Sequence, residues 1–342
     1  MEGIHEANLA RWFGDHVPGA TPPLRFSLIP GGRSNLSFRV ADAASSEFVL
    51  RRPPVSHVLP TAHDMAREYR IISALAQSPV PVPPALGLCD DPSVTGAPFY
   101  VMGYVEGYVL RDEVVAASAL DRAARRAAGE SLVDVLVDLH GVDIDAVGLS
   151  GLARRDGYVG RQLRRWGAQF EQSEELGGRR IAVVDEVRRS LADRIPPEGQ
   201  PGVVHGDYRL DNVVVSNEGR VRAVLDWELS TLGDPLADLG LLLVYWAEEG
   251  DEHPALPDAP TAIAGFPGRR ELVGRYASGS GRDLTNLPFY VAFGYWKLAC
   301  ILGGVHARYA AGAGGGDPAS AAELADQVVY LAETSRDLIA QL

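Results

Sequence analysis

Lysine is nearly absent from this chain. Of its 32 lysine and arginine side chains only Lys297 is a lysine, so any role that normally needs one falls to arginine or to that single residue. Basic charge is short overall, because 45 acidic residues leave a formal net charge of −13. That balance excludes bulk nucleic-acid binding, which needs a basic face, but not a small anion held by a few local cations. Surface acidity mostly serves solubility, and it also suits a cationic ligand. Cysteine is scarce: Cys89 and Cys300 offer neither zinc spacing nor a disulfide framework. Apolar runs such as Leu239 to Ala247 are too short to span a bilayer. Met1 to Val17 is acidic and broken by polar residues, unlike a signal peptide. The expectation is a soluble, cytoplasmic protein with no membrane partner.

The rest of the composition is ordinary for a globular protein, with 46% apolar and 23% charged residues. A length of 342 residues exceeds the usual single core, so two lobes are expected.

The strongest signal is Val203-Val204-His205-Gly206-Asp207-Tyr208-Arg209-Leu210-Asp211-Asn212, followed by Val224-Leu225-Asp226-Trp227-Glu228. Phosphoryl transfer needs one carboxylate to orient and deprotonate an acceptor hydroxyl, and oxygen ligands that hold Mg²⁺ against nucleotide phosphates. Asp207 suits the first role; Asn212 and Asp226 suit the second. The spacing His-x-Asp-x-x-x-x-Asn matches the protein-kinase catalytic loop. His-Gly-Asp, paired with Asp-Trp-Glu and then Gly233-Asp234-Pro235-Leu236-Ala237-Asp238-Leu239, resembles the aminoglycoside phosphotransferase family of small-molecule kinases. The resemblance implies an α+β, two-lobed protein-kinase-like fold, with a small β-rich lobe and a larger, mostly helical one. It also implies ATP or GTP as phosphoryl donor, Mg²⁺, and a hydroxyl-bearing small molecule as acceptor.

The residue pattern agrees. The chain divides near Gly103, giving a nucleotide-binding lobe over 1–103 and a catalytic and substrate lobe over 104–342. Strands are expected at Leu24 to Ile29, Ser37 to Val40, Phe48 to Arg51, Ala85 to Cys89 and Phe99 to Met102. One helix, Ala62 to Ala76, carries Met65, Tyr69, Ile72 and Leu75 as an apolar stripe. Beyond Gly107 helices are expected at Asp121 to His140, Tyr158 to Gln172, Ile181 to Arg194, Pro235 to Ala247, Arg269 to Ser278, Leu287 to Ala311 and Ala319 to Leu342. A hairpin of Val213 to Val215 with Val221 to Leu225 lies between the two acidic motifs and would bring them to one cleft.

In the first lobe Gly31-Gly32-Arg33-Ser34-Asn35 forms a turn where backbone amides could approach phosphates, with donors from Ser34 or Asn35. A plain hairpin turn is the alternative. Strand alternation puts Val49 and Arg51 on one face, the first toward adenine and the second toward phosphates. No lysine exists in this lobe for the second task, and arginine forks its hydrogen bonds; the alternative leaves Arg51 and Arg52 as surface charges. Glu68 is the expected partner of Arg51, as kinases pair these residues. By resemblance, the Gly103 carbonyl and Val105 amide would bind the adenine edge with Met102 behind it, and His205 would brace the loop.

Arg209 stands where protein kinases carry a γ-phosphate lysine, so it either neutralises developing charge or ties down the acidic loop. Asp211 reads as a turn residue. Glu228 could order a second Mg²⁺ or bind substrate. Asp234 and Asp238 read as helix caps or loop braces around Pro235. Arg154, Arg155, Arg161, Arg164 and Arg165 are either a solvated face or an anion site for substrate. The wording Val49-Leu50-Arg51-Arg52-Pro53-Pro54 and Asp64-Met65-Ala66-Arg67-Glu68-Tyr69 is similar to the kinase domains fused to certain acyl-CoA dehydrogenases. This branch implies a hydroxyacyl-CoA acceptor rather than an aminoglycoside or macrolide antibiotic. Two other classes stay open: a metal-dependent hydrolase using His205, Asp207, Asp226 and Asp234, and a catalytically silent nucleotide-binding protein.

Overall fold

The computed structural model describes residues 3–30, 35–54, 64–177, 180–310 and 318–342. The first lobe runs α1 (Glu6–His16), β1 (Arg25–Leu28), β2 (Leu36–Ala41), β3 (Glu47–Arg52), α2 (Met65–Leu75), β4 (Ala85–Cys89), the short α3 (Pro92–Thr95) and β5 (Phe99–Gly103). Its five strands form one antiparallel sheet in the order β1-β2-β3-β5-β4.

Side-chain alternation gives this sheet two different faces. Phe48, Leu50, Phe99 and Val101 pack with Leu9, Trp12 and Phe13 of α1 in a core of their own. Trp12 meets Phe99 edge-on at 4.8 Å. The opposite face presents Val49 across from Met102 and Arg51 across from Tyr100, toward α2 and the cleft. Asp64 caps α2 by accepting the Arg67 amide at 2.9 Å. The buried side of α2 holds Met65, Ile71, Ile72 and Leu75, and also Glu68.

The second lobe comprises α4 (Glu113–Ala119), α5 (Arg122–His140), α6 (Tyr158–Gly177), α7 (Ala182–Ala192), β6 (Gly202–Val204), β7 (Val213–Val215), β8 (Val221–Val224), β9 (Thr231–Gly233), α8 (Leu236–Tyr245), α9 (Arg269–Ser280), α10 (Leu287–Ala310) and α11 (Pro318–Ile339). The β7–β8 hairpin forms as expected, and β6 pairs with β9, so the two motif-bearing segments leave neighbouring strand ends. A hydrogen bond from the Leu225 amide to the Asn212 carbonyl, 2.8 Å, joins them. Gly107 sets the passage between lobes. It has φ +149°, and a Cβ there would lie 2.6 Å from both the Val214 side chain and the Val215 carbonyl. That close approach lets Tyr108 bridge to Val215.

Five described helices and strands were not expected from the sequence: α1, α3, α4, β6 and β9. Helix α6 also runs on to Gly177 instead of stopping at Gln172. The 24-residue α10 is long and apolar enough to cross a membrane, but 78% of its most apolar stretch is buried inside the protein. It packs against α6, α8 and α11, and its composition is that of a central core helix. The glycine run at 312–316 lies outside the described residues.

Candidate active site

The segment that carries Asp207 starts where β6 ends. Gly206, at φ +88°, makes the turn that any Cβ would block, since one would lie 2.8 Å from the Leu229 carbonyl. Asp238, near the start of α8, accepts the backbone amides of His205 at 2.6 Å and Gly206 at 2.8 Å. Asp238 in turn accepts a hydrogen bond from His140 Nε2–H at 3.2 Å, and the Tyr276 hydroxyl donates to His140 Nδ1 at 2.7 Å. Burial lowers the His140 pKa below its ordinary value, against the Asp238 hydrogen bond and charge, which raise it. Burial also raises the Asp238 pKa, but the His140 hydrogen bond and the loop amides outweigh it and hold the carboxyl below its usual range. His205 donates Nε2–H to the Leu225 carbonyl at 2.9 Å and accepts the Asp207 amide on Nδ1 at 3.2 Å. Both ring nitrogens are therefore committed, and His205 is a brace.

This framework aims Asp207 into the cleft. The Tyr245 hydroxyl donates to Asp207 Oδ1 at 2.7 Å, and Asn212 Nδ2 donates to Oδ2 at 2.8 Å. Arg209 pairs with Asp211 at 3.0 Å, approaches Asp207 at 3.7 Å, and stacks over the Tyr245 ring at 4.8 Å. Its geometry ties down the acidic loop while its side chain also lines the cleft.

Across the cleft, Arg51 on β3 and Glu68 on α2 form an ion pair at 3.1 Å. Arg51, Arg52 and Glu68 are all buried, so the surface placement of the two arginines does not hold. Tyr100 donates to Glu68 at 3.1 Å. Burial raises the Glu68 pKa, opposed by the adjacent guanidinium. Arg51 continues to Asp226 Oδ1 at 2.5 Å. Burial opposes its charge, but Asp226 and Glu68 raise its pKa above the ordinary arginine value. Asp226 itself adopts φ +60°, a left-handed backbone that Asp tolerates better than most residues.

Asn35 departs from expectation. It is buried, and its amide donates to Glu68 Oε1 and Glu228 Oε2, each at 3.1 Å, so those donors serve carboxylates instead of a phosphate. The same bond engages Glu228 in joining the lobes. Gly32 and Ser34 lie outside the described residues. Met102, Gly103 and Val105 line the cleft beside Val49, on the side away from Asp207's helical surroundings. Arg52 turns the other way, to the carbonyls of Gly3 and Thr95.

The arginine cluster divides. Arg154 pairs with Asp156 and Arg155 with Asp145, while Arg161 donates to the Arg154 and Leu232 carbonyls. Arg165 alone of the five lines the cleft, its guanidinium over Trp166 at 5.5 Å. Tyr245, His140 and Lys297 were not singled out as site residues by sequence reasoning. The only signal for any of them was the rarity of lysine.

The cleft encloses about 1690 Å³, beyond the usual span of a single-ligand pocket. Its lining also takes in α6, α10, α11 and residues 256–261, where Leu256, Leu298, Ile301, Leu302, Val305 and Leu324 form an apolar wall.

Comparison with known proteins agrees with this geometry. The family model described as the phosphotransferase enzyme family matches residues 25–272. Acyl-CoA dehydrogenase family member 11 of Gallus gallus is 35% identical over 318 residues, covering 91% of this chain. Member 10 of Mus musculus is 34% identical over 307 residues, covering 89%. The chain spans only 40% and 28% of those two relatives. The crystal structure of a candidate aminoglycoside phosphotransferase from Ralstonia eutropha superposes with a TM-score of 0.80 at 32% identity, covering 99% of both chains. A spectinomycin phosphotransferase, crystallised with ADP and spectinomycin, shares the fold at a TM-score of 0.61, covering 97% of this chain and 99% of its own, but only 12% identity. The expected two-lobed kinase-like fold and phosphotransferase class therefore stand, and the chain belongs to the phosphotransferase enzyme family.

Proposed function

We propose that this phosphotransferase moves the γ-phosphoryl group of ATP or GTP to the hydroxyl of an acyl thioester, a hydroxyacyl-CoA. The observation that carries the acceptor class is the apolar wall of the cleft. Leucine, isoleucine and valine side chains of α10 and α11 dominate it, with Arg165 and Arg308 as cations and Asp258 and Glu323 as acids. An apolar wall with cations suits an acyl chain and an anionic carrier. A polycationic aminoglycoside would want a denser set of carboxylates. The relatives' names, which carry acyl-CoA chemistry, point the same way.

In this reading the nucleotide lies against Val49, Met102, Gly103 and Val105, with Arg51 at its phosphates and Glu68 holding Arg51. Asp207 accepts the hydroxyl proton as the acceptor oxygen bonds to the γ-phosphorus and the bond to the β,γ-bridging oxygen breaks, releasing the nucleoside diphosphate. Arg209 offers positive charge beside the transferring group. Spectinomycin phosphotransferase was crystallised with ADP, which supports a nucleotide donor.

The residues present fit Mg²⁺. Asn212 spends its amide nitrogen on Asp207, which leaves its oxygen as the ligating atom, and Asp226 adds a carboxylate in the cleft. No group of three or more His, Cys, Asp or Glu side chains suited to a metal occurs among the described residues. That accords with Mg²⁺, which takes one or two protein carboxylates plus substrate phosphates. Bound there, Mg²⁺ would offset phosphate charge during transfer.

The hydrolase alternative fits poorly. His205 has both nitrogens engaged, and Asp234 accepts the Tyr290 hydroxyl at 2.6 Å and the Leu236 amide at 3.0 Å. The deciding experiment is a coupled nucleotide-turnover screen with Mg²⁺ across hydroxyacyl-CoAs, aminoglycosides, macrolides, choline and sugars. Turnover confined to hydroxyacyl-CoAs supports the proposal. Turnover with an antibiotic alone overturns the acceptor class, and none with any acceptor revives a silent protein.

A further inference from the structure

The one lysine of the chain sits directly behind the catalytic loop. Lys297 projects from α10, is 3% exposed, and donates from Nζ to the Gly206 carbonyl. Its ammonium lies 5.5 Å from the Trp166 ring centroid, and Trp166 belongs to the cleft wall while Lys297 does not. The lysine therefore acts behind the cleft surface, with no direct route to substrate. The Gly206 amide is already held by Asp238 at 2.8 Å, so Gly206 is gripped at both its nitrogen and its oxygen. Its carbonyl belongs to the same peptide unit as the Asp207 amide, which is bonded to His205 Nδ1. Fixing that unit fixes the backbone from which the Asp207 side chain departs.

The charged groups facing Lys297 are Asp207 and Asp238, which favour its cation, and Arg165 on α6, which opposes it. A buried ammonium is costly, and a hydrogen bond to a carbonyl could be made by a neutral side chain. Keeping a cation here needs a use for the charge. A charged donor holds a carbonyl more firmly than a neutral one, so the ammonium grips the Gly206 carbonyl and the peptide that carries Asp207.

We propose that Lys297 is a positioning residue for phosphoryl transfer, its ammonium locking the Gly206–Asp207 peptide from which the Asp207 side chain departs. The inference rests on Asp207 as the acceptor-side base. Desolvation lowers the lysine pKa to about 8, with the two carboxylates resisting the shift. The residue is then a cation at neutral pH and loses charge in mildly alkaline solution.

A single lysine makes the test clean. Protein labelled with ¹³C at lysine gives one side-chain resonance, whose titration can be followed in the wild type and in Asp207→Asn. The expected titration lies near pH 8 and moves to lower pH in the variant, because an attracting charge is lost. A resonance that titrates identically in both proteins, or that is neutral at pH 7, overturns the proposal. The kinetic arm compares Lys297→Gln, which keeps a donor but drops the charge, with Lys297→Arg, which keeps the charge. Read as Mg·ATP hydrolysis, the glutamine variant should lose at least about tenfold in kcat with little change in the nucleotide KM, as misplacement of a catalytic group does. The arginine variant should recover part of the lost kcat. A glutamine variant with parental kcat overturns the proposal. If neither variant folds, the two titrations decide. Wild-type protein with no nucleotide turnover but coupled titrations would overturn the phosphoryl-transfer reading and leave the Lys297–Asp207 coupling standing.

Discussion

The Arg51 guanidinium reaches the Asp226 carboxylate across the interlobe cleft at 2.5 Å. The proposed phosphate-binding cation and the proposed metal ligand thus neutralise each other, and Glu68 completes the row. Nucleotide phosphates and Mg²⁺ would supply each of the two with a new partner of the right sign. Binding would then exchange one internal ion pair for two external ones.

Asp226→Asn tests this exchange. A neutral amide is a poor ligand for a hard cation and also gives up the ion pair with Arg51. Calorimetric titration should show Mg²⁺-dependent ATP affinity at least about tenfold weaker, the loss of roughly 1.4 kcal/mol. Metal-free ATP should bind no worse than in the parent. Undiminished Mg·ATP affinity and turnover would remove Asp226 from the metal site.

Arg51 and Arg52 separate two kinds of role within one dipeptide. Arg51→Met should abolish most turnover while Arg52→Met acts through stability. The Arg52 guanidinium is buried and bonds carbonyls of Gly3 and Thr95, tying the segment before α1 and the end of α3 to the sheet. Hydrogen bonds to charged groups are worth about 1.5–3 kcal/mol each, so a lowered Tm with near-parental kcat in the surviving folded protein is expected for Arg52→Met. Equal, small effects of both on turnover would favour a silent protein.

The contrast shows what a linear reading reaches. Alternation along Phe48-Val49-Leu50-Arg51 located Arg51, and the acidic motifs located Asp207, Asn212 and Asp226, because each is a local pattern with a chemical requirement. Helix α1 escaped because its apolar stripe is only Leu9, Trp12 and Phe13 among polar residues. The apolar sheet face that buries it exists only after five strands have assembled. Tyr245 meets Asp207 38 residues away, and Lys297 meets Gly206 91 residues away. No periodicity encodes such pairs. The contacts of Asn35 were not foreseen for the same reason, since its two carboxylate partners come from α2 and from the segment after Asp226.

Acid should unfold the protein through His140. Its folded pKa lies below the ordinary value of 6.5, so the unfolded chain binds the proton more readily. Stability from this group is full above that value and is lost as pH falls below it. The depressed carboxyl of Asp238 adds to the loss at still lower pH, as it must be protonated there. Chemical denaturation between pH 7.5 and about pH 5 should show a falling midpoint, the first part of which is attributable to His140. A midpoint flat down to pH 5 would mean that His140 is charged in the folded protein.

The most direct test of mechanism is Asp207→Asn. The carboxylate holds two donors, the Tyr245 hydroxyl on Oδ1 and the Asn212 amide on Oδ2. A substituting amide can keep its oxygen toward Asn212 and turn its NH₂ toward Tyr245, whose hydroxyl rotates to accept. The loop should therefore survive, still held by Asp238, and Mg·ATP should bind about as well as to the parent. What the amide cannot do is take the acceptor proton. Positioned proton transfer contributes about a hundred- to ten-thousand-fold in rate, and kcat with any true acceptor should fall by that order. A metal-ligand role for Asp207 makes the opposite forecast, because removing a ligand should strip the metal and weaken the nucleotide with it. One purified Asp207→Asn sample, assayed for bound metal, ATP affinity and phosphoryl transfer, separates the two. Retained metal and nucleotide with lost transfer supports the base; lost metal and nucleotide together would sink it.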